Sequence, residues 1–308
     1  MTREEINEEQ QKRISRENNL EKTKKIIIIS LKLIFIFSII IITFLSYTTY
    51  ISTVKISVRE YRITDSKIPA SFNGIKILHF SDLHYGSTMR EENMKEIKRI
   101  INEIKPDIIV YTGDLINNQY KISNEEKDKI SKYFSELHST LGKYAVLGDE
   151  DNTDITTILK QGDFNTLNND YDLIYQDDNQ PIMIVGISSL LSKNNNIEQA
   201  YSYFTQENSN SNIYTIALIH EPDMANEIVD SHDNTDLIMA GHSHNGTIRT
   251  PFKHLPLERK KGAKTFNQDY YELNDTKLFI SGGLGTSGTL SIRLFCRPSI
   301  NLYRLSNN

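Results

Sequence analysis

Carboxylate and imidazole side chains follow five separate apolar runs of the sequence, usually beside a glycine. Both residue types bind divalent cations, and a mixed set of the two suits Zn²⁺, Mn²⁺ or Fe better than Mg²⁺ or Ca²⁺. In chain order the positions are Asp82 and His84 after GIKILHF, Asp114 after DIIVYT, Asp149, Glu150 and Asp151 after KYAV, His220 after IYTIALI, and His242 and His244 after DLIMA. Each motif alone is weak, but their ordered combination predicts one shared metal site.

The stretch LGDED, residues 147–151, places three acidic side chains together directly after a glycine. Because like charges repel at such short separations, the stretch is either a solvated turn or one side of a cation site. The other four runs favour the second interpretation, since each of them also ends in a residue that binds metals. We therefore expect a cation beside LGDED.

The apolar runs are typical of buried strands that alternate with helices. Strands are predicted at 74–80, 107–112 and 143–147, and residues 88–104 carry apolar side chains at helical spacing. The same alternation continues through IYTIALI and DLIMA. Strand and helix in this order indicate an α/β or α+β domain, in which the carboxyl ends of strands line the ligand crevice.

Further elements are predicted from local signals. Ser123 and Glu126 form a capping box that opens a helix to about His138. YDLIY and PIMIVGI predict a hairpin across residues 176–180. The runs KLFI and LSIRLF are the last two predicted strands.

The ordered set of motifs, D-x-H, GD, G with two polar residues, H and then GHxH, resembles that of the calcineurin-like metallophosphoesterase superfamily. The resemblance covers nearly all of residues 60–308. GHSHNGTIRTP and GGLGTSG…IRLFCRP are similar to segments of the membrane-associated bacterial branch. The resemblance implies a four-layer αββα sandwich: two mixed sheets lie face to face with helices outside and a dinuclear metal site at the sheet edges.

The resemblance also implies a cofactor, two divalent metal ions (Mn, Zn or Fe), and a phosphate-ester substrate. A hydroxide that bridges the two metals would attack the phosphorus in line. Carried over by motif, the ligands are Asp82, His84 and His244 for one metal, Asp149, His220 and His242 for the other, and Asp114 as the bridge.

The third motif departs from the family pattern, which reads GNH. Asp149 and Glu150 stand where the family has a neutral Asn ligand and a His that protonates the leaving group. Asp149 still offers a ligand, but its charge weakens the attraction for a phosphate dianion. Glu150 serves as general acid only if its carboxyl group stays protonated. One hypothesis is a phosphoesterase that favours phosphodiesters, and the other is a metal-binding pseudoenzyme or surface binding module with weak or no hydrolysis.

A long apolar run near the amino terminus predicts a membrane anchor. From Ile26 to Tyr47 only Lys32 is charged, and the run meets the roughly 20 residues that a bilayer requires. A core helix is a poor alternative because every face is apolar, and no small-residue cleavage site follows. We expect a cytoplasmic tail at 1–25, a transmembrane anchor at 26–50 and a metallophosphoesterase domain at 51–308.

The charge pattern favours a cell-membrane location with the domain outside. Lys22, Lys24 and Lys25 crowd the amino side of the run, against Lys55 and Arg59 beyond the other end, which predicts an extracytoplasmic domain. After residue 50, 27 Lys and Arg remain against 34 Asp and Glu, because residues 1–50 hold eight and six of the totals of 35 and 40. An acidic domain of this kind argues against a nucleic-acid partner. The oligomeric state is left open by the sequence.

The remaining candidate residues receive structural interpretations. Cys296 is the single cysteine, which excludes an intramolecular disulfide and predicts a buried thiol. His79 is expected to be structural, and Glu221 and Asp223 are expected not to bind metal. Surface positions are predicted for three other histidines: His138, His232 and His254.

Overall fold

The computed structural model describes residues 2–53, 55–176, 180–205, 212–249, 260–287 and 292–308. The chain divides into two compact units, Met1–Thr48 and Thr49–Asn308. In the first unit, helix α1 (Arg3–Ser46) begins at a capping box made by Thr2 and Glu5 and contains no buried residue. By length and composition it is able to cross a membrane.

The second unit contains two β-sheets. The described strands are β1 (Ser57–Thr64), β2 (Lys76–Phe80), β3 (Ile108–Thr112), β4 (Gly142–Val146), β5 (Asn165–Thr166), β6 (Asp170–Ile174), β7 (Ile182–Gly186), β8 (Tyr214–Leu218), β9 (Leu237–Ala240), β10 (Tyr270–Leu273), β11 (Thr276–Ile280) and β12 (Ser299–Ser306). The first sheet has the order β1-β12-β2-β3-β4-β5, and the second has the order β10-β11-β9-β8-β7-β6.

The helices of the second unit cover the outer faces of the sheets. They are α2 (Glu91–Ile104), α3 (Asn124–Ser135), α4 (Thr153–Gln161), α5 (Ile197–Ala200) and α6 (Ala225–Ser231). Three of the five, α2 to α4, pack on the first sheet, where Ile97, Ile130 and Ile158 join side chains of β2 and β3 in one core. The other two pack on the second sheet, where Ile197 and Ile228 do the same with β7 to β9.

A third core fills the space between the two sheets. Ile77 and Val110 of the first sheet meet Ile216, Leu218 and other side chains of the second, and all of these are fully buried. With the outer helices this makes four layers, helix, sheet, sheet and helix. The predicted αββα sandwich of two mixed sheets is therefore confirmed.

The direction of the strands determines where the predicted metal ligands lie. β2, β3 and β4 are mutually parallel, and so are β8 and β9 in the other sheet. The carboxyl ends of parallel neighbours lie at one edge of their sheet, so the loops that follow these strands are side by side. Every predicted ligand is in one of these loops.

Two predictions about the strands need correction. LSIRLF was expected to be a strand, but within its described residues only Leu294 forms an isolated bridge, to Ile248. The last strand is instead β12, which lies between β1 and β2 and was missed, as were β1 and β10. The predicted hairpin is confirmed, because β6 and β7 pair antiparallel. Residues 177–179 at its tip lie outside the described residues.

Candidate metal centre

Three side chains from the two sheets make the first group of possible ligands. Asp82 and His84 follow β2, and His244 follows β9. Nε2 of His84 lies 3.1 Å from Nε2 of His244, which lies 3.4 Å from Oδ1 of Asp82. All three side chains are fully buried. Their ligand atoms all lie within 4.8 Å of one another, as the ligands of one metal ion must.

A second group lies next to the first. Oδ1 of Asp149 is 3.4 Å from Nε2 of His220 and 3.2 Å from Nδ1 of His242. Asp114 is the fourth member, with Oδ2 at 3.2 Å from Nε2 of His220. The same Oδ2 is 3.7 Å from Nε2 of His84 in the first group. Asp114 thus stands between the two groups, where a bridging ligand would have to be.

Hydrogen bonds on the far side of the rings orient two of the histidines. Nδ1 of His220 lies 2.6 Å from the carbonyl oxygen of Thr112, and Nε2 of His242 lies 2.8 Å from that of Lys261. A carbonyl only accepts, so each of these nitrogens carries the proton and the other has a free lone pair. The free nitrogens, Nε2 of His220 and Nδ1 of His242, are 3.2 Å apart and face the carboxylates. This donor set fits a transition metal.

The electrostatics of the cluster also fit a cation. Burial opposes the ionisation of Asp82, yet the imidazoles of His244, His220 and His84 hold its pKa well below the usual value. Burial likewise opposes a charge on His220, but Asp114 and Asp149 raise the pKa of its imidazole well above the usual value. The buried carboxylates therefore require positive charge beside them, and a divalent metal supplies it more fully than a proton does.

The backbone is strained at most of the predicted ligands. Five of the seven have left-handed backbone conformations, which non-glycine residues avoid. Such strain concentrates at functional sites, where the surrounding structure holds it in place. The φ values are 50° at Asp82, 41° at His84, 60° at Asp114, 61° at His242 and 49° at His244.

Glu150 lies at the edge of the cluster. Its backbone N–H donates to Oδ1 of Asp114 at 3.1 Å. One carboxylate oxygen accepts from the backbone N–H of Asn118 at 3.2 Å and lies 3.4 Å from Nδ1 of His84. The side chain is 19% exposed, whereas that of His84 is not exposed at all. Glu150 is therefore within reach both of the cluster and of a molecule that arrives from solvent.

Asp151 supports the cluster from behind, a role that the sequence did not indicate. Its carboxylate accepts from the backbone N–H groups of Asp114, Leu115 and Gly148 at 2.8–2.9 Å. Burial and the nearby Asp114 raise the pKa of Asp151 to about 6. Gly148 is required here, because a Cβ at this position would lie 2.2 Å from Oδ1 of Asp114. Together these contacts fix the bridging carboxylate.

A buried arginine fixes the other side of the cluster. Arg293 is fully buried and donates to the carbonyl oxygens of Gly282 at 2.7 Å and Gly285 at 2.5 Å. The carbonyl of Gly285 also lies 3.2 Å from Nδ1 of His244. The predicted burial of Cys296 is observed, and its thiol donates to the carbonyl oxygen of His244 at 3.2 Å.

The other candidate residues lie outside these groups. His79 is buried beside the Thr112 hydroxyl, 2.8 Å away, and burial lowers its pKa to about 3, so the ring is neutral and structural. Glu221 is buried and accepts from the Ser189 hydroxyl, and Asp223 accepts from the backbone of residues 264–266.

The predictions for the three remaining histidines had different outcomes. His138 is exposed as expected. The surface position predicted for His232 is wrong: its ring stacks on Tyr201 with centroids 4.1 Å apart and its side chain is only 10% exposed. His254 lies outside the described residues.

Comparison with known proteins agrees with this geometry. The family model of the calcineurin-like phosphoesterases matches residues 75–246, which is more than half of the chain and spans every predicted ligand. The chain therefore belongs to the calcineurin-like phosphoesterase family. Membership supports hydrolysis of phosphoesters with divalent metals as its class of reaction.

Three relatives illustrate its place in the family. The metallophosphoesterase YkuE of Bacillus subtilis is 29% identical over 266 residues, which cover 85% of this chain and 89% of that protein. The UDP-2,3-diacylglucosamine pyrophosphatase LpxG of Chlamydia muridarum is 24% identical over 303 residues. The match covers 78% of this chain and 87% of that protein. A transmembrane protein with a metallophosphoesterase domain from Danio rerio is 24% identical over 61% of this chain and 44% of its own length.

Proposed function

We propose that this chain is a membrane-anchored phosphoesterase that cleaves phosphodiesters, and also diphosphates that are substituted at both ends. The observation that carries the proposal is the convergence of seven side chains from five loops on one cluster, in which every member except Asp149 is buried. The residues that would hold two divalent ions (Mn, Zn or Fe) are Asp82, His84 and His244 for one, Asp149, His220 and His242 for the other, and Asp114 for both. When bound, such ions supply Lewis acidity and a nucleophile at neutral pH.

The charge of the cluster supports singly charged phosphates as substrates. Three carboxylates, those of Asp82, Asp114 and Asp149, lie within the two groups and offset three of the four positive charges of two divalent ions. A phosphate monoester is a dianion near neutral pH, so it loses more binding energy than a monoanion does when the net positive charge of the site is reduced. A phosphodiester, or each phosphate of a disubstituted diphosphate, carries a single negative charge. The substitution of Asn and His by Asp149 and Glu150 therefore favours diesters.

Glu150 is the candidate proton donor to the leaving group. Beside it lies a cavity of about 130 Å³, whose lining includes Asn117, Tyr120 and Ile122. A leaving group in this cavity would be next to the carboxyl group of Glu150, as general acid catalysis requires. The backbone N–H of Asn118 fixes the orientation of this side chain.

The proposed location is the cell membrane, with the domain on the extracytoplasmic side. The span of α1 from Ile26 to Ser46 has every described side chain at least partly exposed, and at 1.5 Å per residue it is about as long as the hydrocarbon core is thick. The basic residues at its amino side favour a cytoplasmic tail. The name of LpxG gives UDP-2,3-diacylglucosamine, a diphosphate with two acyl groups, as the substrate of that relative, which supports a substrate at a membrane surface.

The test is hydrolysis of two model substrates by the full chain in detergent, loaded with Mn²⁺. We expect faster turnover of bis-p-nitrophenyl phosphate than of p-nitrophenyl phosphate, since the first is a monoanion and the second a dianion. The chelated chain serves as the control and should be inactive. Faster monoester hydrolysis would contradict the substrate class, and no hydrolysis of either ester would favour the metal-binding pseudoenzyme or surface binding module.

A further inference from the structure

A tight turn at residues 260–263 lies directly against the second group of ligands. The backbone N–H of Ala263 donates to the carbonyl of Lys260 at 3.0 Å, and the carbonyl of Lys261 is 2.8 Å from Nε2 of His242. Gly262 has a φ of +87°, and a Cβ there would lie 2.9 Å from Cγ of Glu221. The backbone of this turn is thus fixed against a metal ligand.

A second segment, residues 285–287, lies against the first group of ligands. The backbone N–H of Gly285 donates to the carbonyl of Asp82 at 2.7 Å. The hydroxyl of Ser87 donates to the carbonyl of Thr286 at 2.6 Å. Because Ser87 is three residues after His84, the segment is held beside the loop that carries two of the ligands.

The ammonium group of Lys260 joins the two segments. Nζ donates to the hydroxyl of Ser287 at 2.7 Å. One segment lies beside His242 and the other beside Asp82, so this bond links the two segments that flank the centre.

Within the described part of the chain, no ion pair neutralises the charge of Lys260. Among the described residues no carboxylate lies within 4.0 Å of the Lys260 ammonium, whose partner is the neutral hydroxyl of Ser287. Another described cation near the centre, Arg293, is buried and already donates to three backbone carbonyls. A half-buried ammonium group with donors left over attracts anions.

We propose that Lys260 binds a non-bridging phosphoryl oxygen of the substrate and supplies the positive charge that the family pattern obtains from the His replaced by Glu150. The inference rests on the proposed function, because it assigns a residue to recognition of the same substrate. Lys260 lies outside the motifs that hold the metals. It determines how tightly a phosphate group is held beside them.

The test uses inorganic phosphate as the probe and calorimetry on the Mn²⁺-loaded full chain in detergent. Lys260→Met keeps the aliphatic stem and removes the charge, and should weaken phosphate binding about 10- to 100-fold, the range expected for a hydrogen bond to a charged group. Lys260→Arg should retain most of the affinity. Lys264→Met is the matched control, because this nearby side chain is exposed and its backbone contacts Asp223, which is not a proposed ligand.

Metal content and kinetics complete the test. The Met variant should keep the metal content of the wild type and show an increase in KM for bis-p-nitrophenyl phosphate larger than its fall in kcat. Unchanged phosphate affinity, an equal loss in Lys264→Met, or loss of metal from Lys260→Met would each overturn the inference. Phosphate binding is measured without turnover, so the two proposals can fail separately. A wild type that binds phosphate through Lys260 but hydrolyses neither ester would contradict the proposed function and leave this inference standing.

Discussion

Asp114→Asn is expected to remove one of the two metals and to lower kcat for bis-p-nitrophenyl phosphate about 1,000-fold. Asp114 lies between the two groups of ligands, with Oδ2 at 3.2 Å from His220 and 3.7 Å from His84. The neutral amide of Asn is a poor bridge, and the loss of several kcal/mol of charge stabilisation corresponds to a rate factor of about this size. Elemental analysis of the purified full chain and steady-state kinetics measure the two effects.

The control for this variant is Asp275→Asn, an equal change of charge at an exposed turn between β10 and β11. It should bind two metals and turn over like the wild type. An Asp114→Asn chain that kept both metals and most of its activity would show that Asp114 is not the bridge. Thermal unfolding of both variants after chelation separates a loss of metal from a loss of fold.

Glu150→Gln should lower the rate for phosphodiesters with alkyl leaving groups by about 100- to 10,000-fold, the usual contribution of a general acid. The amide retains an oxygen to accept from the Asn118 N–H but has no proton to give to the leaving group. A p-nitrophenolate ion departs without protonation, so the rate for bis-p-nitrophenyl phosphate should change only a few-fold. The measurement is the ratio of kcat values for the alkyl and the aryl diester.

The double variant Asp149→Asn with Glu150→His restores the usual family motif and acts as the opposing test. If the chain is a phosphoesterase adapted to diesters, restoration should shift its preference towards the monoester, because the negative charge of Asp149 is removed and a histidine replaces the carboxyl group of Glu150. A wild type with activity near background, whose activity appears only in the double variant, would instead identify a metal-binding pseudoenzyme.

The prediction for Glu150→Gln has its own contradicting outcome. An equal fall of both diester rates in that variant would argue that Glu150 orients His84, 3.4 Å away, and does not donate a proton.

Much of the fold was predictable because the central strands are short and apolar. β2, β3, β4, β8 and β9 are buried on both faces apart from a few end residues, which leaves a clear apolar run in the sequence. The edge strand β1 has no such run. It reads SVREYRIT with alternate residues exposed, and its partner β12 lies more than 240 residues away. A pairing of this range leaves no local signal.

The strand prediction for the run LSIRLF was wrong for a related reason. Its apolar residues suggested a strand, but Arg293 within it points its charge into the core, where three carbonyls accept its hydrogen bonds. The true strand, β12, carries Ser299 and Asn301 in buried positions, so its sequence looks less apolar than its surroundings are. Only the tertiary contacts distinguish the two segments.

The candidate ligands were foreseeable from their types and order, whereas the residues that support them were not. Asp151 was visible as one more acid in LGDED, but its three backbone partners come from two different loops. Lys260 lies in a turn rich in basic residues and resembles any solvated lysine in the sequence. Its position is fixed by the contact of its neighbour Lys261 with His242, which only the fold creates.

Anomalous diffraction from crystals of the Mn²⁺-loaded full chain would examine the paired-cation site itself. We expect two manganese peaks about 3.5–4 Å apart, with the carboxylate of Asp114 between them and Asp149 on the peak that His220 and His242 share. A single peak, or peaks away from these side chains, would contradict a dinuclear centre and with it the proposed hydrolysis.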